Sequence, residues 1–397
     1  MIMKRLSVIL VSCVFVNLMK AQVYVSPNAT LFVDTNAVLA VIGDAKNDGI
    51  IENPGTIQLK GDFDNQKSFN SKGNFVLMGL NQTVYHKNNV ISTLICNGGG
   101  IKNFTNSISI SKSLELNEGL IKPIDTSVFL LKNTASTTLG NTDSYIDGVL
   151  YTEGLNSRYF PIGKGGLFAP SECQGVKGDS SIIYGMEVVN PTTLDLQKGK
   201  RVQNLLSSRY WKMNVKSGAF EHAYLSLSYS NDDAFADNTM VGVTQATDSV
   251  GPYDMSFDLL HKNEITSKIS STGLLYTTSM KPITKRYFTL GDYLIADMKL
   301  FFLPNALSKN AADTNNRAIR VYGGVFEKTG FSFVVSNQWG NVVYKTNSVV
   351  EMAEKGWDGT NSRTNRRETT GQYFYIIKGT TLSGDSFEKA GSIWIID

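Results

Sequence analysis

Apolar and polar positions alternate along most of this chain in short runs, and glycine or asparagine separates the runs. From Ser107 to Leu116 the alternation is clean. Ile108, Ile110, Leu114 and Leu116 share one parity, which predicts a strand with one side turned inward. Glycines at 49, 55, 61, 73, 79, 98–100 and 119 recur about every ten residues, a spacing that leaves room for one short strand between turns. Segments such as "GIIENPGTIQLKGDF" and "NEGLIKPIDTSVFLLKN" read as degenerate copies of a unit of roughly 20 residues. The pattern predicts an imperfect β-solenoid over residues 22–170, each rung burying its apolar face on the next. A meandering β-sandwich has the same local pattern and stays open as the alternative.

Residues 171–297 predict a second β-domain. "SRYWKMNV", "HAYLSLSYS", "GLLYTTSM" and "RYFTLGDYL" mix aromatic and aliphatic residues in strand-length runs, which suits an immunoglobulin-like sandwich. Trp211 is expected to anchor its core. Residues 298–397 predict a third module, a β-sandwich with strands at 331–335, 341–345, 372–378 and 392–396. In it Tyr373 and Tyr375 share one strand face, and Phe374 and Ile376 take the other. The fold class is therefore all-β.

The N-terminus breaks this pattern. Lys4 and Arg5 precede an apolar run from Leu6 to Met19, too short to span a bilayer comfortably. This predicts a signal peptide over 1–21, cut between Ala21 and Gln22. Leu10-Val11-Ser12-Cys13 also resembles a lipoprotein box, but the apolar run continues past the cysteine. The chain's formal charge of +3 comes from this segment. Without Lys4, Arg5 and Lys20 the basic and acidic residues balance, so nothing points to nucleic-acid binding. With 42% hydrophobic and 18% charged residues and 35 glycines, the composition is that of an ordered, turn-rich protein. Cys96 and Cys173 would form one disulfide or remain two buried thiols.

The last module carries "FLPNAL", "NQWGNVVYKT", "GWDGT", "TGQYFYIIKG" and "KAGSIWII" in this order. The set resembles the gliding motility-associated C-terminal domain, the type B sorting domain of type IX secretion. The matching positions are Pro304, Asn305, Trp339, Gly340, Asn341, Gly356, Trp357, Asp358, Gly359, Gly371, Tyr373, Tyr375 and Gly391. The resemblance implies export of a folded substrate through the type IX outer-membrane translocon, often with a partner outer-membrane barrel, and includes gliding adhesins. Two positions depart from the family. Residues 307–316 read "LSKNAADTNN" without the family's Gly-Asp-Gly core, so a cation-binding role does not carry over. Gln338 stands where the family usually has Arg. Further upstream, "SYIDGVL" and "RYFPIGKGGLFAP" resemble the close of the β-rich region in other type IX-exported surface proteins. Apart from any resemblance, Trp339 and Trp357 are expected in the core. Gly340-Asn341 and Asp358-Gly359 read as tight turns.

Catalytic chemistry has few candidates. His86, His222 and His261 are scattered, and no metal-ligand spacing links them to the cysteines. "GKGG" lacks the following helix of a phosphate loop. Asp62 and Asp64 could pair on one strand face as in sugar-cleaving enzymes, or flank a solvated turn. Asp232, Asp233 and Asp237 could bind Ca²⁺ or form a polar hairpin tip. Arg363, Arg366 and Arg367 could meet an acidic polymer. The expectation is a non-enzymatic, exported, adhesin-like or structural protein with no cofactor. A carbohydrate-binding protein, presenting Tyr151 and Tyr159 or Tyr224 and Tyr229 to a surface glycan, and a polysaccharide-degrading enzyme are the alternatives.

Overall fold

The computed structural model describes residues 22–87, 90–190, 195–199, 202–230, 233, 241–256, 268–279, 282–293, 301–323, 326–327, 329–381 and 386–396. The expected signal peptide, with Cys13 and Ala21, lies outside these residues, as do Asp232, Asp237 and His261.

The N-terminal region is a solenoid of parallel strands. One ladder stacks Val23–Val25, Ala45–Asn47, Phe63–Asn65, Gln82–His86, Ile101–Phe104 and Leu120–Pro123. A second begins at Thr30–Phe32 and Ile50–Asn53, and a third at Val38–Val41 and Thr56–Leu59. The longer strand Ser68–Leu77 belongs to both, pairing with Ile50–Asn53 through its first half and with Thr56–Leu59 through its second. The parity of Ile108, Ile110, Leu114 and Leu116 is the parity of the core, since all four are buried.

The recurrent glycines follow from how closely the rungs stack. A Cβ on Gly73 would lie 1.9 Å from the Gly55 carbonyl oxygen, and one on Gly55 would lie 2.1 Å from that of Asp34. No side chain fits in that space, so the corner recurs as glycine.

Polar side chains inside the solenoid satisfy the corners that apolar ones cannot. Asn47 Nδ2 donates to Asn65 Oδ1 at 2.6 Å, and Asn65 Nδ2 meets His86 Nδ1 at 3.1 Å. His86 is fully buried beside Phe63 and Phe69, and its Nε2 has no partner. Burial pushes its pKa down to about 4. The unfolded chain takes up this proton below about pH 6.5, and the folded chain refuses it until about 4. Stability is thus expected to fall by about 3 kcal/mol as pH drops through that window, and to be unaffected by this group above it. In His86→Asn, which extends the asparagine ladder, melting should lose that part of its pH dependence between pH 7 and 4.5. An unchanged pH profile would remove His86 from the account.

Lys102 plays a related part. It is fully buried, and its Nζ donates to the carbonyls of Gly79 and Leu80 at the turn of the preceding rung and to that of Gly99 in the turn before its own strand. Arg158 does the same near the end of the solenoid, with Nη2 donating to Asn133 O at 2.9 Å and Nη1 to Ala135 O.

The sheet does not stop at residue 170. Leu150–Glu153 is the last parallel strand of the second ladder, and it pairs antiparallel with Ile183–Val189. The same sheet then runs on through Tyr210–Ser217, Tyr287–Tyr293 and Val241–Ala246. A second sheet of Arg158–Phe160, Ser171–Gly178, Phe220–Tyr229 and Leu275–Thr278 forms the other layer of the sandwich. One continuous apolar core extends from Val25 to Leu290. Trp211 sits in it fully buried, its Nε1 donating to Ala169 O at 2.9 Å. "GKGG" is a glycine turn in a short hairpin, with Gly165 and Gly166 at φ +58° and +89°. Cys96 and Cys173 are two free, buried thiols, and burial pushes Cys96 up to about 11.

The C-terminal domain has its own core. Five strands lie in the spatial order Ala306–Ser308, Ser386–Ile396, Gly371–Thr380, Ser332–Ser336 and Val342–Thr346. The second layer of the expected sandwich is not a full sheet. The ribbon Phe301–Phe302 with Tyr322–Gly323 and the helix Val349–Glu354 contribute to the same core. This helix escaped the strand-only reading, although Ser348 and Glu351 mark its start. The Ser348 hydroxyl accepts the Glu351 N–H at 3.1 Å, one half of a capping box.

Candidate docking face of the C-terminal domain

The motif residues of this domain build its fold first. Asn337 organises the hairpin tip, its Oδ1 accepting the N–H groups of Trp339 and Asn341 at 3.1 and 3.0 Å. Gly340 takes φ +80° in that turn. Trp357 is 1% exposed, and its Nε1 donates to Thr360 O at 2.9 Å. Gly356 precedes it at φ +68°, where a Cβ would lie 2.3 Å from Ile319 O. Asp358 Oδ1 accepts the Thr360 N–H at 2.9 Å, and Gly359 completes the turn at φ +86°. The Tyr375 ring lies against Gly391, where a Cβ would meet it at 2.7 Å. Tyr373 is buried and donates its hydroxyl hydrogen bond to the Glu368–Thr369 corner. Gly371 opens the strand that carries both tyrosines.

Trp339 corrects the sequence reading. It is 74% exposed rather than buried. The turn that fixes its backbone is polar, and nothing in the hairpin tip offers a core for the ring.

The tyrosines face inward, and their neighbours Phe374 and Ile376 face out, as the alternation implied. Phe374, Ile376, Trp394 and Ile396 are each between 42% and 47% exposed. The strand register puts them on one side of the sheet. Trp394 lies between Gln372 and Ala306, Phe374 between Ser392 and Ser336, and Ile396 beside Ser308. The immediate neighbours are therefore small or uncharged. Charged groups gather at the other end of these strands, where Lys378 pairs with Glu388 at 3.0 Å. At the sheet edge the apolar band meets a groove of about 770 Å³, lined by Phe302, Pro304, Asn305, Tyr322 and Ile396 among others. Asn305 also ties the band down, its carbonyl accepting the Trp394 N–H at 2.8 Å. In the adjoining loop the one acid, Asp313, is used as a cap on Asn315 N–H at 2.9 Å. This surface has the chemistry to hold an apolar partner.

The other sequence candidates do not converge. Asp62 Oδ1 accepts the Thr83 N–H one rung on, and Asp64 Oδ1 accepts from Gln66. Asp233 makes a two-pronged ion pair with the buried Arg209, both contacts at 2.6 Å. Burial raises the Asp233 carboxyl, but the bonds from Arg209 outweigh it and hold the pKa below the usual range. Arg363 and Arg366 are exposed, whereas Arg367 turns inward toward Gly359. Tyr159 and Tyr229 are buried, so neither proposed tyrosine pair forms an exposed row. Among the described residues no three His, Cys, Asp or Glu side chains are grouped to hold a metal ion.

Residues 301–395 match the family model of the CHU_C type IX secretion signal domain. No curated protein and no solved structure matches the chain. The C-terminal domain is thus of the kind that the type IX secretion system recognises, and it marks the chain for export by that route.

Proposed function

We propose, from a C-terminal domain that matches a type IX secretion signal, that this is a non-enzymatic structural or adhesin-like protein delivered to the cell surface or the medium. A signal peptide over residues 1–21 takes it across the inner membrane, and the C-terminal domain takes it across the outer one. The solenoid and the sandwich joined to it are the delivered body. The observation that carries this reading is the family match together with a separate core for the matched domain, which lets it act as a module. The use of Asp62 and Asp64 in bonds between and within rungs supports a structural role over a catalytic one.

Deleting residues 298–397 should leave the body folded and trap it in the periplasm, with Gln22 as its first residue. Fractionation with N-terminal sequencing checks both statements. Surface delivery of the truncated chain at the full-length level would refute the export reading.

A further inference from the structure

We propose that the uncovered side of the C-terminal sheet, from Phe374 and Ile376 across Trp394 to the groove beside Ile396, is where an outer-membrane component of the secretion machinery takes hold of this protein. This rests on the export reading above and adds the surface and its chemistry. The partner presents an uncharged apolar surface, with a projection that enters the groove.

Four observations converge on this. The inner side of the same sheet already fills a complete core with Phe333, Tyr373, Tyr375, Ile393 and Ile395, so the outer side is not needed to fold the domain. The outer positions are nonetheless large and apolar where a solvated strand face would be polar. Their cross-strand neighbours Ala306, Ser308, Gln372 and Ser392 bring no charge that a partner would have to desolvate. The band also runs into the 770 Å³ groove at the sheet edge, which gives a flat surface a place for an anchor.

The size of the band distinguishes the occupants. Half-exposed side chains of this size leave roughly 400 Å² of apolar area uncovered. That is about half of the ~800 Å² per partner of a stable complex. It suits a carrier that binds its cargo and releases it, and is too small for a permanent pairing with a second copy. Trp394 and Phe374 are the residue types that concentrate binding energy, and Trp394 is held in place through Asn305.

The test is the full-length chain carrying Phe374→Thr, Ile376→Thr and Trp394→Thr, expressed in cells with the type IX machinery. Threonine keeps strand propensity while removing the apolar surface. The expected result is an unfolding midpoint within about 4 °C of the wild type. Surface delivery should fall at least about tenfold, as the loss of aromatic anchors implies. Leu275→Thr with Tyr276→Thr, which removes exposed apolar residues from a strand of the sandwich, should be delivered normally. If the triple variant shifts its midpoint further, the single variants Phe374→Thr and Trp394→Thr decide the matter in its place. Normal delivery of a folded variant, with the 298–397 deletion still retained in the periplasm, overturns the assigned surface and leaves the export reading standing. Normal delivery of the deletion as well overturns both. A concentration-dependent dimer of the purified chain, abolished by the triple variant in sedimentation, would give the face to a second copy and also overturn the proposal.

Discussion

Trp357→Ala is expected to cost the C-terminal domain about 3–5 kcal/mol. A domain of this size has on the order of 5–14 kcal/mol in all. The ring is 1% exposed and packs edge-on against Tyr373 at 5.4 Å. Its loss opens a cavity and leaves the Thr360 carbonyl without its indole donor. Trp339→Ala, 18 residues away in sequence and part of the same motif set, should change stability by no more than about 0.5 kcal/mol, because the ring is 74% exposed. Urea unfolding followed by tryptophan fluorescence would separate the two. Equal losses would mean that the hairpin tip is buried after all. Since export acts on a folded domain in this reading, Trp357→Ala should also reduce surface delivery.

The second large effect belongs to the solenoid. Gly100→Ala should cost more than about 3 kcal/mol, because two penalties act together. The residue has φ +59°, and its Cβ would lie 1.5 Å from Leu80 O. That carbonyl is one of three that receive the buried Lys102 amino group, so moving it disturbs the Lys102 contacts as well. Gly166→Ala is the matching control. It has φ +89° and open space where the Cβ would go, so only the left-handed backbone cost of about 1 kcal/mol remains. Denaturation midpoints that moved equally would show that rung stacking contributes nothing beyond backbone strain.

The strands were legible in the sequence because a strand's period of two needs no partner to be seen, as the parity of Ile108 to Leu116 illustrates. The glycine corners were visible as punctuation. Their cause, a carbonyl one rung away, was not, because it depends on which rungs stack. Asn47, Asn65 and His86 gave a fainter signal, polar residues spaced 18 and 21 apart, easily taken for surface positions. Lys102 gave none, since a buried lysine looks like an exposed one until three carbonyls surround it. Trp339 was misread because aromatic residues in a glycine-rich motif suggest a core. The polar neighbours Asn337, Gln338 and Asn341 pointed to an exposed tip instead. The docking face was half visible. "YFYII" and "IWII" are apolar on both parities, which a strand with one solvated side does not need.

The sheet shared by the solenoid and the sandwich also sets an order of assembly. Contacts between successive rungs close loops of about 20 residues, as between Asn65 and His86, 21 apart. The contact that joins Asn204 to Asp292 spans 88 residues. A fourfold longer loop costs about 1 kcal/mol more to close, and Ile183–Val189, the strand that joins the sandwich to the solenoid, gains its solenoid edge only when Leu150–Glu153 is in place. The solenoid is thereby built to zip rung by rung, each rung serving as the template for its neighbours. The strands that finish the sandwich are the last of the body to find a home.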